Sequence, residues 1–190
     1  MKDLTTIYPE INYTQDTSSK WHMPGLPQIG IPRFGLHAPG SLERASVETY
    51  IHDRFAKVHH AEVQHFLPNI ISLRCRGEYS AAVSLAPASS GKLFAEQYLD
   101  APVEQIISQK LGVSIPRDQI VEIGNLVSTW KGSSLLLFIV IGEVMKRLGY
   151  DYAMFTGTRE VKALLARLRY SPVVLADANP AALPDGGASW

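Results

Sequence analysis

Residues 120–148 read IVEIGNLVSTWKGSSLLLFIVIGEVMKRL. The first ten alternate. Ile120, Glu122, Gly124 and Leu126 fall on one face of an extended chain, and Val121, Ile123, Asn125 and Val127 on the other, which predicts a strand over 120–129. WKGSS, residues 130–134, is small and polar and is expected as a loop. LLLFIVIGEVMKRL has the length of a helix, with Lys146 and Arg147 in its last turn and Gly149 to stop it. A strand that enters a Gly/Ser turn and then a helix presents free backbone N–H groups and the positive end of the helix dipole to an anion.

Working outward, residues 41–60 carry Val47, Ile51, Phe55 and Val58 at helical spacing, with Ser41 as the expected N-cap. Residues 70–76 and 79–85 alternate and read as a hairpin turning at Gly77. Residues 93–100, LFAEQYLD, fit strand or helix equally. Residues 101–111 read as a helix, with Asp100 as cap, Pro102 in the first turn and Glu104 after it. Past the central helix, residues 152–156 read as a strand, 159–168 as a helix capped by Thr158, and 173–177, VVLAD, as a further strand. Strands alternating with helices predict an α/β (α+β mixed) domain around one sheet, with parallel neighbours where a helix crosses over. Residues 1–33 differ. They are rich in Pro and Gly, have no period, and read as an arm that Trp21, Met23, Leu26 and Ile29 would anchor. The domain proper is expected over residues 34–190.

The 190 residues suit one domain. Charges balance, with 18 basic and 18 acidic residues, which argues against nucleic acid or an anionic membrane as partner. The single cysteine, Cys75, excludes an internal disulfide and fits a reducing compartment. The longest apolar run, residues 135–141, falls short of the ~18 residues a membrane span needs. With no apolar stretch near Met1 to read as a signal, the expectation is a cytoplasmic protein.

His59, His60 and His65 lie close in sequence, but HHxExxH matches no zinc signature, and no metal site is expected. No GxSxG elbow, Walker loop or Rossmann glycine pattern appears. Glu96, Arg117, Glu122 and Asn125 carry more information. Glu122 and Asn125 interrupt an apolar strand, where an unpartnered polar group costs roughly 1–3 kcal/mol. A carboxylate in that place is a candidate general base. Pairing with Arg117 or a backbone N–H is the structural alternative.

LFAEQYLDAPVEQ (93–105), IVEIGNLVS (120–128), MFTGTREVKALLARL (154–168) and LADANPAALPDGGASW (175–190) together resemble the thermostable hemolysin family. That family is similar in plan to GNAT acyltransferases and acyl-homoserine-lactone synthases. The resemblance implies a GNAT-like fold in which strand 120–128 splays from strand 152–156. It implies an N-acyltransferase-like enzyme that joins an acyl thioester, of coenzyme A or an acyl-carrier protein, to a small amine or amino acid. No tightly bound cofactor is implied. In that scheme Glu122 or Glu96 is the base and Asn125, with Thr156 and Thr158, positions the acceptor. Arg117 joins the substrate contacts. Leu126, Val127 and Ser128 hold the thioester through their backbone, while Lys131, Gly132, Ser133 and Ser134 stand where a pyrophosphate loop would be. A carrier protein and a second copy in a homodimer are the candidate macromolecular partners. The rival readings are a membrane-active hemolysin, as the family name suggests, and a ligand-binding module without chemistry.

Overall fold

The computed structural model describes residues 32–129, 131–183 and 186. The expected arm up to residue 31 and its four anchors, like Trp130, therefore lie outside the described residues, while Arg33, expected in the arm, begins the first strand. Five strands form one sheet in the order β1-β2-β3-β4-β5. They are β1 (Arg33–His37), β2 (Asn69–Cys75), β3 (Glu78–Pro87), β4 (Ile120–Ser128) and β5 (Tyr152–Phe155). The first four pair antiparallel, and β4 pairs parallel with β5. Four helices accompany them: α1 (Arg44–His59), α2 (Val103–Leu111), α3 (Lys131–Leu148) and α4 (Arg159–Arg167). The mixed sheet and its helices are the expected α+β architecture.

Periodicity explains where the helices lie. Val47, Ile51 and Phe55, four residues apart, bury one side of α1 against Ile70, Ala82 and Val127. Leu137, Ile141, Val144 and Leu148 bury α3 on the opposite face, against Ile71, Leu73, Val83, Val121 and Ile123. A third cluster packs α2 through Val103 and Ile107 against Ala86, Ile120 and Met154. The hairpin turns through Arg76 and Gly77, both at positive φ (56° and 85°). That geometry matches the right-handed twist of the strands it joins.

Several local expectations need correction. Ser41 does not cap α1: the chain first makes a turn, Glu43 occupies the N-cap position, and the Ser41 hydroxyl is buried without a partner. Val58 stays half exposed. Pro102, not Asp100, is the residue before α2. Residues 131–134 are the first turn of α3, not a loop, with Ser133 fully buried. Residues 173–177 form no strand, and Val173 and Val174 are more than half exposed. Thr158 does cap α4, accepting from the Val161 N–H at 3.4 Å.

Candidate active site at the fork of strands 4 and 5

Strand pairing places the site. Ile120, Val121, Glu122 and Ile123 pair with Tyr152, Ala153, Met154 and Phe155. Beyond the Ile123–Phe155 pair, β4 continues for five residues and β5 stops. Residues 124–128 of β4 thus have no β5 partner, and Arg54 takes up one of their backbone groups by donating to the Ser128 carbonyl.

A bulge lies just past the fork. Ser84 pairs with Gly124 but Ala82 pairs with Val127, so Val83 stands opposite two residues, Asn125 and Leu126. Asn125 takes φ 48°, a conformation that asparagine tolerates better than most residues. The extra residue reverses the faces. Ile123 and then Leu126 pack on the α3 side, while Val127 packs on the α1 side. The strict alternation expected from sequence holds only as far as Gly124.

The bulge also holds the chain between α1 and β2. The Asn125 amide nitrogen donates to the His65 carbonyl at 3.2 Å, and its oxygen accepts a long bond from the Leu67 N–H. Arg44 fastens the end of the same segment, donating to the Leu67 and Pro68 carbonyls and pairing with Glu48. Leu67 lies directly over Gly124, where a Cβ would come within 3.0 Å of its side chain. In the GN of EIGN, glycine makes room for Leu67 and asparagine ties down its backbone.

Glu122 sits at the fork, 3% exposed. Its two oxygens accept the Phe94 and Ala95 N–H groups at 2.7 and 2.8 Å, the opening amides of a short 3-10 turn (Phe94–Tyr98). Burial raises its pKa above the ordinary value. The Ala95 and Phe94 hydrogen bonds oppose that rise, and the nearby charge of Glu96 adds to it.

Glu96 has the opposite character. Oε2 accepts from the Leu93 N–H and Arg117 Nη2, and Oε1 from the Val103 N–H and Arg117 Nη1, all within 2.9 Å. Arg117 holds its pKa at about 2 against the cost of burial, helped by the Val103 and Leu93 amides. Arg117 uses its remaining donors on the Glu104 carboxylate and the Ala88 and Gly91 carbonyls.

An extended groove opens from the fork. Its walls include Glu122, Leu126, Ser128, Ser134, Thr156 and Thr158, the segment 59–67 and the tail 170–178. Asn125 and Val127 also reach it, Asn125 with its side chain already engaged. Ser128 Oγ and Ser134 Oγ meet at 2.6 Å where β4 turns into α3. Glu96, Arg117, Gly132 and Ser133 do not line this groove, and the Lys131 side chain lies outside the described residues. The structure thus gathers Glu122, residues 125–128, Ser134, Thr156 and Thr158 around one space, and sets Glu96 and Arg117 behind the wall. Among the described residues, no three His, Cys, Asp or Glu side chains converge to hold a metal ion.

Three contributors are not among the residues singled out from the sequence. Phe94 and Ala95 act through backbone N–H groups, which side-chain chemistry cannot reveal. Arg54 donates to the Ser128 carbonyl at 2.7 Å and lines the groove. A signal for it existed: Arg54 follows Val47 and Ile51 at seven and three residues, which puts it on the inward side of α1.

No curated protein matches the chain. The model of the thermostable hemolysin family matches residues 37–190, a span that takes in the whole fork, and the chain belongs to that family.

Proposed function

We propose that the protein is an acyltransferase of the GNAT plan, forming an amide from an acyl thioester and a small amine. One observation carries the reading: β4 and β5 part immediately after Ile123 and Phe155, with a buried carboxylate of raised pKa at the parting point. The edge of β4 beyond its last pair with β5 would offer hydrogen-bond donors to an extended amide-bearing arm, as to an added strand.

The chemistry asks for few groups. The amine nitrogen attacks the thioester carbonyl, a C–N bond forms, the C–S bond breaks, and the thiolate leaves and takes a proton. Glu122 accepts the proton lost by the amine, directly or through water. A backbone N–H within residues 126–128 that points away from β3 holds the carbonyl oxygen as it gains charge. Thr156 and Thr158 orient the acceptor. The N-terminal end of α3, where Ser134 lines the groove, offers the positive end of the helix dipole to the anionic part of the donor. Coenzyme A and a carrier-protein phosphopantetheine both present such an anion, so either serves as co-substrate. Glu96 is left out of the proton transfer: a carboxylate already accepting four hydrogen bonds and held near pH 2 is a poor base.

Purified protein is mixed with acyl-CoA or acyl-carrier protein and a panel of amines, and free thiol is followed with a chromogenic disulfide. Amine-dependent thiol release that falls about 10²-fold or more in Glu122→Gln is expected. No release with any donor sinks the proposal, and dye leakage from liposomes without it would favour a membrane-lytic protein. Among the described residues, no helix is long and apolar enough to cross a membrane.

A further inference from the structure

Residues 88–102 contain no α-helix or strand, yet Ala88, Leu93, Ala95 and Glu96 are buried. Chain without a ladder needs other partners for its polar groups. Here Arg117 supplies many of them. Its guanidinium carries five N–H donors, and it makes five hydrogen bonds: to Ala88 O, to Gly91 O, to both oxygens of Glu96 and to Glu104. Glu96 passes this hold on to the Leu93 and Val103 amides. The next two amides after Leu93 are the ones that bind Glu122. Three consecutive N–H groups therefore divide between two carboxylates, one locked to an arginine and one facing the groove.

We propose that Arg117 is a positioning residue: through Glu96 it fixes the Phe94 and Ala95 amides on the two oxygens of Glu122, and so sets that carboxylate's strength as a proton acceptor. The effect runs through distance. A hydrogen bond weakens steeply as donor and acceptor separate, and each bond to the ionised form lowers the proton affinity of the carboxylate. Loosening the turn leaves the ionised Glu122 buried with fewer donors. Glu96 is the charged group whose field reaches Glu122. Arg117 and Glu104 stand behind it, the sheet neighbours Ala86 and Met154 are uncharged, and segment 59–67 on the groove wall brings His59, His60, Glu62 and His65. The functional consequence rests on Glu122 being the proton acceptor of the proposed reaction.

The test uses two charge-conserving variants, so that a change in position is separated from a change in charge. Arg117→Lys keeps the cation and loses the fork; Glu96→Asp keeps the anion and shortens its reach. The Glu122 carboxyl is titrated by carbon NMR in glutamate-labelled protein, alongside the amide proton shifts of Phe94 and Ala95. In wild type the two amides are expected to follow the Glu122 midpoint. In either folded variant that midpoint should rise by about half a pH unit or more. An unchanged midpoint in a folded variant overturns the proposal. So do wild-type amides that ignore the titration, an outcome readable even if neither variant folds. Where the wild type turns over, the acidic limb of kcat/KM should move up with the midpoint. A wild type without turnover would sink the acyltransferase reading and leave the titration to decide the role of Arg117.

Discussion

Glu96 and Glu122 take hydrogen bonds from the same short turn and end with opposite acidities, because one of them also has an arginine. Glu96 falls from the ordinary 4.5 to about 2. A lowered carboxylate pKa contributes stability that is complete above about pH 4.5 and is lost as pH falls toward 2, where the folded form must take up its proton. Glu122, raised by burial, acts in the other sense: its contribution is complete below 4.5 and fades as pH rises through its folded value. We expect acid unfolding to be dominated by Glu96. Unfolding free energies from urea titrations at pH 7, 4 and 2.5 should fall for wild type, by on the order of 2 kcal/mol over the range. Glu96→Gln should be less stable at pH 7 and lose most of that slope; an unchanged slope would show that other carboxylates control acid stability. Glu122→Gln presents an amide donor to a backbone donor and should cost about 1–3 kcal/mol at neutral pH.

At the scale of the element, the bulge in β4 decides what the strand can do. Asn125 combines a left-handed φ with two side-chain bonds to the covering segment. Asn125→Ala loses the bonds and keeps the strain, and should destabilise by about 1–2 kcal/mol. Asn125→Gly loses the same bonds but relieves the strain, so it should cost less. Both should speed proteolysis within 60–68. Equal losses in the two variants would mean that φ contributes nothing. The sequence showed this strand through its period of two, and α1 and α3 through their apolar faces. The bulge was not legible, because a bulge is defined by the partner strand: one Val83 against two residues of β4. The opposite error occurred at 173–177, where a β-branched run found no partner ladder. At 131–134, polar residues that look like a loop became a helical turn because Ser133 is buried and Ser134 bonds to Ser128.

For the whole molecule, the sheet order puts the parallel pair of the described residues, β4 with β5, at one edge. The antiparallel strands make a stiff platform between α1 and α3, and the fork opens beside it. A ligand seated there binds the folded chain and not the unfolded one. An acyl thioester at about a hundred times its Kd should then add roughly 2.7 kcal/mol and raise Tm by several degrees. The same donor should give a similar shift in Glu122→Gln, since proton acceptance is separate from donor binding. No shift in wild type with coenzyme A or carrier-protein donors would count against the fork as donor site.

By itself the sequence determined the elements and the suspicion attached to Glu122. Local period and burial logic act within a few residues, and an acid in an apolar strand stands out without knowledge of its neighbours. Tertiary structure alone decided the surroundings of the acids. Glu96 and Glu122 look alike as letters, and what separates them is that Arg117, 21 residues after Glu96, reaches one carboxylate and not the other. Likewise Gly124 and Asn125 gain their meaning from Leu67 and His65, which chain folding brings over β4. Electrostatic and packing energies depend on distance in space, and distance in space between far-separated residues is what a linear chain does not state.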